Sequence, residues 1–232
     1  MLKMYAALKN NPGEIVKAAA RHRLINFARY MQPDLALEPF HVVYYTLLDK
    51  FAHGEIKKMI VQMPPQHGKS EGSSRKLPAF MLGLNPDTKI CIGSYAATIA
   101  RDFNRDVQRI IDTPRYRELF PGTYLNGSNV VTMANTYLRN SDVIEMVGRK
   151  GSLRVGRGGS LTSKTVDVSI LDDVYKDYAE GNSPIVRAAA WKWYTTVVRT
   201  RLHNDSQELI VFTRWHDDDL IGRIEKSGET II

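Results

Sequence analysis

A single cysteine, Cys91, leaves the chain no partner for a disulfide and no thiolate cluster for a metal, so a reduced, cytosolic setting is the expectation. No stretch approaches the roughly twenty apolar residues that a membrane-spanning helix needs, which argues against a helical membrane protein. Met1 to Leu8 is too short for a secretory signal and is broken by Lys3. No internal repeat is visible. One glycine is also missing: where the phosphate-loop pattern G-x-x-x-x-G-K-[ST] opens on glycine, this chain has Met63.

The rest of the pattern is present. Met59 to Met63 is an apolar run that turns into Pro64-Pro65-Gln66-His67-Gly68-Lys69-Ser70, the outline of a buried strand feeding a loop and then a helix. In such a loop the residues Pro65 to Glu71 surround the phosphates of ATP, with the backbone N–H groups of Gln66 to Glu71 as donors. Lys69 neutralises the outer phosphates and Ser70 holds Mg²⁺ through its hydroxyl. The alternative is a Pro-Pro turn with an incidental Gly-Lys-Ser. About a hundred residues on, Val166 to Leu171 is a mostly apolar strand ending in Asp172-Asp173, the acidic pair an ATPase needs. On an extended strand neighbouring side chains point to opposite faces, so the pair must lie where the strand ends and the backbone turns. Asp172 then binds Mg²⁺ through water, while Asp173 orients or deprotonates the attacking water.

With 232 residues the chain can bury a large core, and one α/β domain fits the motif spacing. The apolar fraction of 43% is that of a globular protein. A formal charge of +7 suits a partner with a phosphate backbone, or equally a generally basic surface.

Residues 1–55 read as N-terminal helices packing on a core of residues 56–232. Asn11-Pro12-Gly13-Glu14 is a helix start, from which one helix is expected to run toward Gln32-Pro33 with Ala20, Leu24, Phe27 and Met31 as its apolar stripe. A second follows Glu38-Pro39, with Phe40, Val43, Tyr44, Leu47, Leu48 and Phe51 recurring before Gly54. Phe40 and His41 are either the base-binding side of a nucleotide pocket or a core aromatic beside a surface histidine. A helix bent at Pro78 follows Ser70, then a strand at Lys89–Ile92 and a helix from Ala97 to Ile111. On its outer side Arg101, Arg105 and Arg109 alternate with Asp102 and Asp106, an ion-paired face or a contact with nucleic-acid backbone. Residues 113–140 read as turns and short strands, and 142–147 as a strand. Gly148 to Ser160, crowded with glycine and arginine, reads as a flexible basic loop. Asn182-Ser183-Pro184 starts a helix carrying Trp191 and Trp193. Leu209 to Phe212 is a buried strand running into Thr213.

The alternation predicts a three-layer α/β fold with a mainly parallel sheet and right-handed crossovers. Gly68-Lys69-Ser70, Asp172-Asp173 and Thr213 then gather at the carboxyl ends of strands, where chemistry in open sheets collects. A rival reading is a metal-dependent nuclease using Asp172, Asp173, Asp177 and His216 to Asp219. The last cluster, however, precedes a helix starting at Leu220, whose N-terminus favours acids.

Four segments together resemble the ATPase domain of the large terminase subunit of tailed bacteriophages, the motor that packages double-stranded DNA into a capsid. They are Pro64 to Ser70, Arg157-Gly158-Gly159-Ser160-Leu161-Thr162, Ile170 to Asp173, and Thr213-Arg214-Trp215-His216-Asp217-Asp218-Asp219-Leu220-Ile221-Gly222-Arg223. That family commonly uses a deviant loop lacking the first glycine, and Gln66 stands where it often has arginine. The resemblance implies a RecA-like (ASCE) P-loop NTPase fold, with the Thr213 strand between the loop strand and the acidic strand. It implies Thr213 as the position that senses the hydrolysed phosphate. It also implies a trans-acting arginine finger, with Arg157 the first choice and Arg149 and Arg154 behind it. Further implications are a homo-oligomeric, pentameric ring on the portal protein, a small terminase subunit as partner, a monomer when isolated, and residence in the host cell cytoplasm during virion assembly. Other RecA-like DNA helicases or translocases are the neighbouring alternative. Family members also carry a C-terminal nuclease domain, and with the chain ending at Ile232 the motor portion alone is expected.

Overall fold

In the computed structural model, residues 11–131, 136–156 and 165–228 are described. The chain begins with α1 (Pro12–His22) and α2 (Leu24–Met31), where one continuous helix was expected. The break is at Arg23, which is extended (φ −135°, ψ 124°). Its cause lies outside the segment: the buried carboxylate of Asp49 accepts from Leu24 N at 2.8 Å and from Arg23 at 2.7 Å. It thereby caps a new helix start that local sequence does not announce. Asn11 makes no side-chain cap.

Asp49 sits on α3 (Pro39–Ala52), whose inner face is Tyr44, Tyr45, Leu48 and Phe51. Phe40 and Val43, expected in its apolar stripe, are 43% and 62% exposed, so the core-aromatic reading of Phe40 fails. Next come β1 (Lys58–Gln62), the loop, a π-helical turn over Glu71–Lys76, and α4 (Leu77–Leu84). Pro78 falls in the first turn of α4, directly after this wider turn, where a residue without an N–H is tolerated.

β2 (Lys89–Ser94) and α5 (Ala97–Asp112) follow, and then α6 (Pro114–Leu119), a helix in the region read as turns and strands. Thr113 caps it by accepting from Tyr116 N at 3.2 Å. β3 (Val143–Glu145) leads to β4 (Ser152–Gly156). The latter corrects the expectation of a flexible loop as far as Gly156, because Leu153 and Val155 are buried and β4 pairs with β2 over its whole length, while Arg157 to Ser160 lie outside the described residues. β5 (Val166–Asp172), α7 (Tyr178–Asn182), α8 (Pro184–Trp193), β6 (Leu202–Phe212) and α9 (Leu220–Lys226) complete the fold. β6 is more than twice the expected length. Its polar first half is accommodated by a register shift against β5 and by buried Gln207, whose amide donates to the carbonyls of Phe51 and Ile56.

The sheet order is β1-β6-β5-β2-β4-β3, parallel except for β3 at one edge. Helices cover both faces. One core joins α1 to α6 with Ile90, Ile92, Ile170 and Val211, and a second joins α8 and α9 with Leu171, Ile210 and Phe212. This is the layered α/β arrangement expected, and β6 lies between β1 and β5 as the resemblance implied. Consequently the carboxyl ends of three adjacent strands stand side by side: β1 entering the loop, β6 entering Thr213, and β5 ending in the acidic pair.

Candidate functional site

The loop is shaped by two left-handed residues, Gln66 (φ 62°) and Gly68 (φ 74°). Glycine suits Gly68 because a side chain there is strained and would face His41, whose Nε2 lies 3.2 Å from a built Cβ. Gln66 holds the same region without that freedom, a strain of the kind that concentrates at functional sites. Two histidines brace the turn. His41 Nδ1 accepts from Glu38 N at 2.9 Å, which leaves Nε2 to donate to His67 O at 3.2 Å, and His67 Nδ1 donates to Pro65 O at 2.7 Å. Exposed Phe40 stacks on His41, with ring centroids 4.0 Å apart, and lies 5.9 Å from His67. The aromatic placed near the loop is therefore open to solvent.

Lys69 is buried, and its ammonium donates to Thr213 Oγ1 at 2.6 Å and pairs with Asp173 Oδ2 at 2.7 Å. Asp173 is held in place by Thr213 N, which donates to its other oxygen at 3.1 Å. Its own backbone leaves the sheet with φ 42°, the turn at the strand end that the adjacent acids required. Asp172, still within β5, is 1% exposed and faces the opposite way, toward the π-helical turn. Ser70 Oγ donates to its Oδ1 at 3.1 Å and Ser74 Oγ to its Oδ2. Burial, reinforced by the charge of Asp173, pushes the Asp172 carboxyl up from 3.8 to about 6, against the pull of the two hydroxyls and Lys69. A buried carboxylate whose ionised form is held by hydroxyls alone is chemically suited to a hard cation, with Ser70 as a second oxygen ligand.

Lys69, Ser70, Asp172, Asp173 and Thr213 are thus brought together from three segments. Glu71 is not turned to the loop: it pairs with Lys76 at 3.0 Å and more loosely with Arg75 at 3.8 Å. Arg154 lies on β4 and pairs with Glu145 at 3.4 Å. Arg149 belongs to the turn between β3 and β4, at the amino edge of the sheet, away from the loop of its own chain. Arg157 and its Gly-Gly segment lie outside the described residues. Sequence reasoning missed Ser74, four residues beyond Ser70 and therefore on the same side of the helix, a spacing that was legible.

The His216 to Asp219 cluster behaves as a helix start. Asp219 is fully buried, accepts from Gly222 N at 3.0 Å and pairs with Arg214 at 3.0 Å, while Asp218 pairs with Arg223 at 2.7 Å. Among the described residues, no group of three or more His, Cys, Asp or Glu side chains is placed to hold a metal. The Arg101 to Arg109 face is laced with ion pairs to Asp142, Asp102 and Asp106, the first of its two readings.

No protein-family model and no curated protein matches the chain. Among solved structures it is similar to one titled "Crystal structure of the HK97 bacteriophage large terminase", with a TM-score of 0.56 and 16% identity over 91% of this chain. The chain spans 43% of that protein's length. At that identity the likeness is one of fold.

Proposed function

We propose that this chain is an ATP-hydrolysing motor domain of the large terminase type, converting hydrolysis into movement of double-stranded DNA. The observation that carries the reading is the meeting of Lys69, Thr213 and Asp173 within 2.7 Å contacts, beside a buried Asp172 bonded to Ser70. The fold shared with a phage large terminase gives that site its context.

In this reading Lys69 leaves Asp173 and Thr213 for the outer phosphates when ATP enters the loop. Asp173, released from its cation, accepts the proton of the attacking water. Thr213, bonded to both Lys69 and Asp173, registers loss of the phosphate and passes it into β6. Ser70 and Asp172 would hold Mg²⁺, which would supply positive charge against the phosphate oxygens. Phe40 and His41 flank the loop on the side available to a base. Completion of the site by an arginine of a neighbouring copy, assembly into a ring on a portal protein, cooperation with a small terminase subunit and action in the host cytoplasm belong to the same proposal. A finger supplied in trans is worth ~10³ to 10⁵ in rate, so the isolated chain should turn over slowly.

The nuclease reading fares worse because Asp218 and Asp219 are committed to Arg223, Arg214 and a helix cap. The deciding experiment measures ATP hydrolysis by the purified chain and by Lys69→Ala and Asp173→Asn. Both variants should fold and lose turnover, and undiminished hydrolysis by either defeats the proposal. Plasmid nicking with Mn²⁺ by the Lys69→Ala variant would favour the nuclease instead.

A further inference from the structure

The helix that follows the loop does not begin as an ordinary α-helix. From Glu71 to Lys76 it is π-helical, so its N–H groups reach back five residues rather than four, a local widening found mostly at functional sites. The carbonyl of Lys69 lies at the mouth of this turn and is met by two side-chain hydroxyls. Tyr44 Oη donates to it at 2.6 Å from α3, and Ser73 Oγ donates at 2.9 Å from within the turn. Two side-chain donors thus converge on that oxygen.

Tyr44 is buried, and its ring lies against the turn where there is no side chain to hold it off. A Cβ at Gly72 would stand 2.6 Å from Tyr44 Cε1 and 3.0 Å from Leu48 Cδ1. The peptide between Lys69 and Ser70 is planar, so fixing its oxygen also fixes the direction of Ser70 N–H, one of the first-turn donors a helix leaves unpaired. It fixes in addition the two Cα atoms from which the Lys69 ammonium and the Ser70 hydroxyl extend.

We propose that Tyr44 is a positioning residue for nucleotide hydrolysis, acting through the Lys69 carbonyl to aim Lys69 and Ser70 at the acidic pair. The proposal rests on the hydrolytic reading above. It also makes α3 a brace for the loop at two points, Tyr44 on Lys69 and His41 on His67.

The test uses the full chain. Tyr44→Phe keeps the ring and removes only the donor. Its kcat for ATP should fall about three- to tenfold, the worth of one net hydrogen bond, with KM for ATP changed less than about twofold. Gly72→Ala, which pushes the ring from the other side, should lower kcat in the same way with Tyr44 intact. In the nucleotide-free chain, amide hydrogen exchange over residues 70–76 should quicken in Tyr44→Phe. A Tyr44→Phe protein with wild-type kcat, or with unchanged exchange over that turn, overturns the proposal. A wild-type chain that hydrolyses no nucleotide would instead sink the hydrolytic reading, and the exchange measurement would still decide whether Tyr44 holds the turn.

Discussion

Replacing Asp172 with asparagine should stabilise the nucleotide-free protein while removing its turnover. Asp172 is 1% exposed, and burial raises its carboxyl from 3.8 to about 6. Between pH 4 and 6 the folded protein therefore binds more protons at this position than the unfolded chain, so stability falls as pH rises through that window and stays low above it. A rise of that size corresponds to about 3 kcal/mol of penalty at pH 7.5. Asparagine carries no charge to desolvate and retains an oxygen for Ser70, so it should recover most of that, about 2 kcal/mol after allowing for a weaker bond to Ser74. The assay is urea denaturation in EDTA at pH 4, 5, 6 and 7.5, comparing midpoints. The variant should be level with or slightly below the wild type near pH 4, overtake it by pH 5 and lead it increasingly through pH 6, with little further gain by pH 7.5. Excess Mg²⁺ and nucleotide should narrow the gap, because ligands that bind only the folded wild type stabilise it. A variant less stable than wild type at pH 7.5, or a difference independent of pH, would refute the reasoning.

Other outcomes are expected. Asp219→Ala should lose about 2 to 3 kcal/mol in thermal or urea melts, since it removes a buried helix cap and leaves Arg214 only its longer pair with Glu225, whereas Asp219→Asn should keep the cap and recover roughly half. A full recovery by asparagine would show the ion pair to be idle. Double-stranded DNA binding should weaken steeply with salt, with a log–log slope of about −0.9 per phosphate contacted and little dependence on sequence. A salt-insensitive, sequence-specific titration would remove the backbone-contact basis for a translocase.

The site was legible where chemistry and local geometry coincide. Gly68-Lys69-Ser70 and Asp172-Asp173 each announce a role by residue type and by an apolar run leading in, and the rule that chemistry collects at strand ends supplied their meeting point. Two of the misses share a different cause: the deciding partner is remote in sequence. Arg23 breaks a helix because Asp49 accepts its neighbour's N–H, and α1 to α2 alone carries no trace of that. Gly148 to Ser160 looks like linker because glycines and arginines outnumber apolar residues. Yet Leu153 and Val155 alternate with Ser152 and Arg154, and a short strand inside a sheet needs only that much when a neighbour is ready to pair. β2 provides such a neighbour, and Gly151, at the entry to β4, lies so close to the Pro86 carbonyl that a Cβ there would collide with it. Glycine composition thus misleads here for a physical reason: at this place in the sheet it answers a demand for close packing, and the same residues that suggest looseness allow β4 to lie where it does.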